Sequence, residues 1–137
     1  MTKTIEIPVL IAGGGPVGLT MAVELSHYGI GCLLVERNPT TTRHPKMDLT
    51  NGRCMELFRR TGMADRIRAA GVPHDSNYDI IWTTDLKPGS HELHRFCYPS
   101  NRIEYWRRRT QNAGTLTLEA PLRVSQILIE PVMKAMA

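Results

Sequence analysis

The sequence predicts an α/β fold, a parallel βαβ unit with a small β-hairpin inserted downstream, and three observations carry that reading. Val9-Leu10-Ile11-Ala12 is a short apolar run of the kind shown by a strand buried on both faces. Gly13, Gly15 and Gly18 follow at once in the spacing G-x-G-x-x-G and open a segment with helical periodicity. Gly31-Cys32-Leu33-Leu34-Val35 is then a second apolar run, and it closes on an acid, Glu36.

Each part has a physical role. The turn must be tight, its backbone must come close to a pyrophosphate, and the helix must pack near the strand, so a side chain at any of the three glycines would interfere. Pro16 sits near the start of the helix, where its missing N–H costs little and the remaining amides are left to face an anion. Val17, Met21, Ala22, Leu25 and Tyr28 recur at helical spacing and predict one apolar stripe, with Gly29 ending the helix. Glu36 lies at the end of the second strand, at a distance that suits acceptance of hydrogen bonds from a ribose 2′-OH. A glycine triplet alone is a weak signal; strand, glycines, amphipathic helix, strand and acid in order predict a Rossmann-like βαβ dinucleotide-binding sheet of the FAD/NAD(P)-binding type. The competing reading is an ordinary glycine-rich turn, which leaves Glu36 a surface coincidence.

Residues 37–45 hold two prolines and little apolar content, and are expected to form a loop whose polar side chains could reach cofactor or solvent. From about Asn51 to Arg60, Met55, Leu57 and Phe58 alternate with charge as on a surface-packed helix, stopped by Gly62. A shorter helix over about Ala64–Ala70 follows, with Ile67 inward and Gly71 as its stop. Tyr78–Thr84 and Glu92–Tyr98 read as antiparallel partners across the turn Lys87-Pro88-Gly89-Ser90. Asn101–Gln111 is arginine-rich and aromatic with weak periodicity, and Asn112-Ala113-Gly114 looks like a turn. Ser125 caps a final helix over 126–137, where Pro131 removes one backbone bond and predicts a bend or a late start.

Composition narrows the function classes. At 137 residues the chain fits one domain, with no apolar run near the roughly 18 to 20 residues of a membrane span. Met1-Thr2-Lys3-Thr4 leads into the first strand without a signal-peptide core, so the expected compartment is the cytoplasm. Cys32, Cys54 and Cys97 are scattered and read as reduced, and the five histidines show no ligand spacing, so no metal is expected. The net charge of +4 includes Arg59-Arg60 and Arg107-Arg108-Arg109, which without a nucleic-acid-binding motif read as a solvated face or a field favouring anionic cofactors, not nucleic acid.

Three stretches together carry a resemblance over the whole length. They are Gly13-Gly14-Gly15-Pro16-Val17-Gly18-Leu19 through Glu36-Arg37; His44-Pro45-Lys46 with Asn51 to Gly62; and Val124-Ser125-Gln126-Ile127-Leu128-Ile129-Glu130-Pro131-Val132. In this order they resemble the N-terminal part of flavin-dependent aromatic hydroxylases, the phenol hydroxylase and 2,4-dichlorophenol hydroxylase group of FAD monooxygenases. The resemblance implies that Gly13, Gly15 and Gly18, with Pro16, frame the FAD pyrophosphate and that Glu36 binds the adenosine ribose. It implies further that Arg53 lies along the pyrophosphate and ribityl chain, and that Gln126 hydrogen-bonds FAD from the start of its helix. Arg37 is placed either near adenine or in solvent. Read without the family, Arg53 is an ordinary exposed helical arginine and Gln126 a first-turn residue bonded to water.

In that family NAD(P)H reduces FAD, dioxygen reacts with the reduced flavin, and one oxygen passes to a phenolic ring; the cofactor does the hard chemistry. No side chain here is needed as a nucleophile, so no catalytic residue is named. The family's later Asp-Gly and Gly-Asp segments are not found in these residues, which predicts a partial FAD-binding domain over 1–137, a sheet cut short, with about 78–110 belonging to a substrate-side β region. Two other readings stand beside it: a non-enzymatic FAD-binding or assembly module, and an NAD-dependent dehydrogenase domain, under which Arg53 and Gln126 have no defined work. An uncovered sheet edge predicts a complementing chain, a homo-oligomer or poor solubility.

Overall fold

The structure is a computed structural model that describes residues 6–137. Met1–Thr4, expected to lead straight into the first strand, lies outside the described residues. The elements run β1 (Val9–Ala12), α1 (Pro16–His27), β2 (Cys32–Val35), β3 (Leu49–Thr50), α2 (Gly52–Arg60), α3 (Met63–Ala70), β4 (Ile80–Thr83), β5 (Glu92–Phe96), α4 (Asn101–Thr110), β6 (Leu122–Arg123) and α5 (Gln126–Lys134).

β1 and β2 pair in parallel, Val9 opposite Cys32 through Ala12 opposite Val35, with α1 as the crossover between them. The Gly13 N–H carries the ladder one residue further by donating to the Val35 carbonyl at 2.8 Å. Among the described residues the parallel sheet, expected to be cut short, has two strands; β3 pairs antiparallel with β6, and β4 with β5, each as a separate two-stranded ribbon. A third parallel strand needs another crossover, and after β2 the chain instead enters a loop and two helices.

The face buried by α1 also differs from the expected stripe. Leu19, Ala22 and Val23 are buried, whereas Val17 (84% exposed), Met21 and Tyr28 face outward. Pro16 to Leu25 is apolar over most of its circumference, so periodicity alone does not select a face. Packing against α5 does: Leu19 and Val23 join Met55 and Phe58 of α2, Met63, Ala64 and Ile67 of α3, Leu122, Val124, and Ile129 and Met133 of α5 in one core. Leu57, expected among the apolar positions of α2, is exposed.

Helix ends follow local chemistry. The Asn51 side chain accepts the Cys54 N–H at 2.8 Å and caps α2. Gly62, at φ 77°, turns the chain from α2 into α3 in a conformation that a residue with a Cβ resists. At α5 the helix begins at Gln126, not late, and carries Pro131 inside it; Ser125 stands at the cap position without a side-chain capping bond.

α4 is the element periodicity did not anticipate. It is fastened by polar contacts: Tyr105 donates to the Glu119 carboxylate, and Arg108 Nε donates to the Glu119 carbonyl at 3.2 Å. Arg68 of α3 meets the same carboxylate at 2.8 Å and lies over the Tyr105 ring at 5.0 Å. Burial alone would raise the Glu119 pKa; the Tyr105 and Arg68 hydrogen bonds with the Arg68 and Arg59 charges outweigh it and hold the carboxyl below its ordinary value. The arginine clusters are largely spent in such contacts, Arg59 on Glu119, Arg60 on Glu24, and Arg107 and Arg108 on Glu104.

Candidate functional site

The glycine turn is a close-packed joint. A Cβ on Gly18 would fall 1.9 Å from the Gly13 carbonyl oxygen, so the first turn of α1 lies directly on the end of β1. Gly13 itself has φ 115°. Gly15 is the N-cap of α1 and Pro16 its first residue. The first helical bond runs from Leu19 N–H to the Gly15 carbonyl at 2.9 Å, leaving the Val17 and Gly18 amides ahead of it without an intrahelical acceptor. With the helix dipole, this end favours an anion.

Glu36 leaves β2 beside that turn. Its carboxylate accepts the Gly14 N–H at 2.6 Å and the Asn38 N–H at 2.7 Å. These bonds, Asn38 first and Gly14 second, hold its pKa below the ordinary value. An ionised carboxylate has about four acceptor positions, so two amides leave capacity for the hydroxyls of a sugar.

Glycine turn and acid form one wall of a cleft of about 520 Å³; the loop after β2, from Asn38 to Arg43, and Lys46 form another, and Gln126 with Glu130 of α5 close it. The loop is tied to α5 at two points. Lys46 N–H donates to Gln126 Oε1 at 2.7 Å, and Thr42 N–H donates to Glu130 Oε2 at 2.8 Å. The glycine turn at the start of α1, a low-pKa carboxylate and the basic residues Arg43 and Lys46 line one space, a set that fits a diphosphate joined to a ribose.

Of the residues singled out by sequence, Gly15, Glu36 and Gln126 line this cleft. Gly13 and Arg37 line a separate depression with Ala12, Val35 and Glu36. Pro16 and Gly18 set the helix start behind it. Arg53 is elsewhere: its side chain is 71% exposed and pairs with Glu56 at 3.1 Å on the surface of α2. Glu130 was missed, although a Gln and a Glu four residues apart in an otherwise apolar helix are a readable sign of a polar inner face. A second, apolar cleft of about 570 Å³ lies between α1, α2 and α5 and includes Val17, Met21, Met47 and Phe58. Among the described residues no group of three His, Cys, Asp or Glu side chains is placed to hold a metal, and no helix is long and apolar enough to cross a membrane.

Comparison with known proteins agrees with this geometry. A family described as FAD binding domain matches residues 6–137. The FAD-dependent monooxygenase apdD of Emericella nidulans is 44% identical over 127 residues, covering 92% of this chain and 20% of that protein. Phenol 2-monooxygenase of a Pseudomonas species is 30% identical over 135 residues, 96% of this chain and 21% of that one. The structure of RebC soaked with chromopyrrolic acid, with bound 7-carboxy-K252c, superimposes with a TM-score of 0.81 at 36% identity, over 98% of this chain and 24% of RebC. The chain thus spans about a fifth to a quarter of these proteins. A domain match along almost the whole chain, relatives that are FAD-dependent monooxygenases, and a glycine turn that shares one wall of a cleft with an acid place the chain in the FAD-binding domain family of the FAD-dependent monooxygenases.

Proposed function

We propose that the chain binds FAD through the cleft between the glycine turn, Glu36 and α5, as the FAD-binding portion of an NAD(P)H-dependent monooxygenase acting on phenolic or other aromatic substrates. The observation that carries the proposal is the convergence of the α1 helix start, Glu36 and Gln126 on one space. FAD, when bound, supplies the redox chemistry and the reaction with dioxygen. The chain's own residues bind and orient. Gly15 and the start of α1 face a diphosphate, Glu36 accepts from ribose hydroxyls, and Gln126, Arg43 and Lys46 line the same cleft. Arg53 would reach the cofactor only by leaving Glu56, and Arg37 would sit toward the adenine side. The hairpin of β4 and β5, with the following residues to about 110, then belongs to the substrate side, and NAD(P)H, the aromatic substrate and any complementing chain act at surfaces beyond this cleft.

Titration of the purified chain with FAD, and with NAD as control, tests the reading. FAD is expected to bind and to keep its visible spectrum with the protein, NAD to bind far more weakly, and Glu36→Ala to weaken FAD binding by roughly ten- to a hundredfold, the range of a charged hydrogen-bonding group lost to a ligand. Preference for NAD would overturn the assignment in favour of a dehydrogenase domain. NADPH consumption stimulated by phenols would extend it to catalysis; tight FAD binding without any turnover favours the non-enzymatic module.

A further inference from the structure

Glu130 is the least expected charge in the molecule. Its residue is 3% exposed, yet among the described residues no Lys, Arg or His side chain lies within ion-pair distance of it. Both oxygens are committed to neutral donors, Oε2 to the Thr42 N–H at 2.8 Å and Oε1 to the Gln126 Nε2 at 2.7 Å. An acid buried without a cation is costly unless its hydrogen bonds compensate. The donors here are the cofactor-cleft loop and the one cleft amide on α5.

The arrangement has a directional consequence. Gln126 Oε1 accepts from Lys46 N–H while its Nε2 donates to Glu130, so the carboxylate, which can only accept when ionised, fixes which way the amide faces. Gln126 and Glu130 stand four residues apart on one helix face and hold the loop at Lys46 and Thr42. We propose that Glu130 is a positioning residue for the cofactor: it orients the Gln126 amide and pins the 38–46 loop, so that Arg43, Lys46 and the loop backbone are already in place when FAD arrives. The proposal deepens the FAD reading and rests on it.

Glu130→Gln keeps the shape and removes one acceptor, because a glutamine can accept from Gln126 or from Thr42 but must turn a donor toward the other. Amide hydrogen exchange and FAD titration on the same chain decide the matter. Glu130→Gln is expected to speed exchange at Thr42 and Lys46 while leaving the Met55 and Ile67 amides of α2 and α3 protected, and to weaken FAD binding about tenfold, the scale of one charge-assisted hydrogen bond. Thr42→Pro deletes the other partner of the same bond and is expected to add little to Glu130→Gln in the double variant. Equal FAD affinity in wild type and Glu130→Gln, or unchanged exchange at Thr42, overturns the positioning role while the FAD reading stands. A folded wild-type chain that binds no FAD overturns both.

Discussion

Glu36 shows how much a single side chain gains from its place in the chain. Its two amide partners, on Gly14 and Asn38, come from the turn before α1 and the turn after β2, so the acid ties these two turns together as well as facing the cleft. Because these bonds depress its pKa, the stabilisation they give is present above the unfolded-state value and is lost as pH falls through the lower folded-state value. The expected result of a side-chain NMR titration is therefore a midpoint below the ordinary 4.5, with amide shifts of Gly14 and Asn38 moving at that same midpoint. An ordinary midpoint would mean that the tie does not persist in solution. The exposed position of Glu36 was legible from its spacing after the second strand. The inward position of Glu130 was signalled only by its pairing with Gln126 four residues earlier; taken alone, a glutamate on a short apolar helix reads equally well as its solvent face.

At the level of elements, α5 does the joining. Ile129 and Met133 bury against α1 and α3, while Gln126 and Glu130 turn the adjacent side of the helix to the cleft loop. Truncating the apolar side should cost general stability: Ile129→Ala is expected to destabilise the chain by about 2 to 5 kcal/mol in denaturant unfolding, the range for a fully buried isoleucine. Losing the α2 cap in Asn51→Ala should cost only about 1 kcal/mol. If the two variants unfold alike, α5 is not the centre of the core. Pro131 illustrates where local rules stop short. Its missing N–H argues for a late start or a bend; the start is not late, since α5 runs from Gln126 through Lys134 with Ile129 and Met133, on either side of the proline, both held by the core.

For the molecule as a whole, the notable feature is the apolar surface left open. Leu10, Leu33 and Val35 of the parallel pair, Val17 and Met21 beside the apolar cleft, and Ile81, Trp82, Leu93 and Phe96 of the hairpin are all exposed. Contiguous patches of this kind, next to unpaired strand edges, favour association. Sedimentation velocity of the purified chain should show concentration-dependent self-association, reduced in a Leu93→Lys, Phe96→Lys variant; a monomer at every concentration in both would contradict the expectation. The β1-α1-β2 unit and its acid were determined by sequence alone, because glycine sterics, a helix start and two apolar runs all act within about thirty residues. Only the tertiary structure decided which face α1 buries, what fastens α4, and what forms the far wall of the cleft. Those outcomes rest on contacts such as Thr42 to Glu130, 88 residues apart, and Lys46 to Gln126, 80 apart, and no local pattern encodes which distant donor an acceptor will meet once the core has closed.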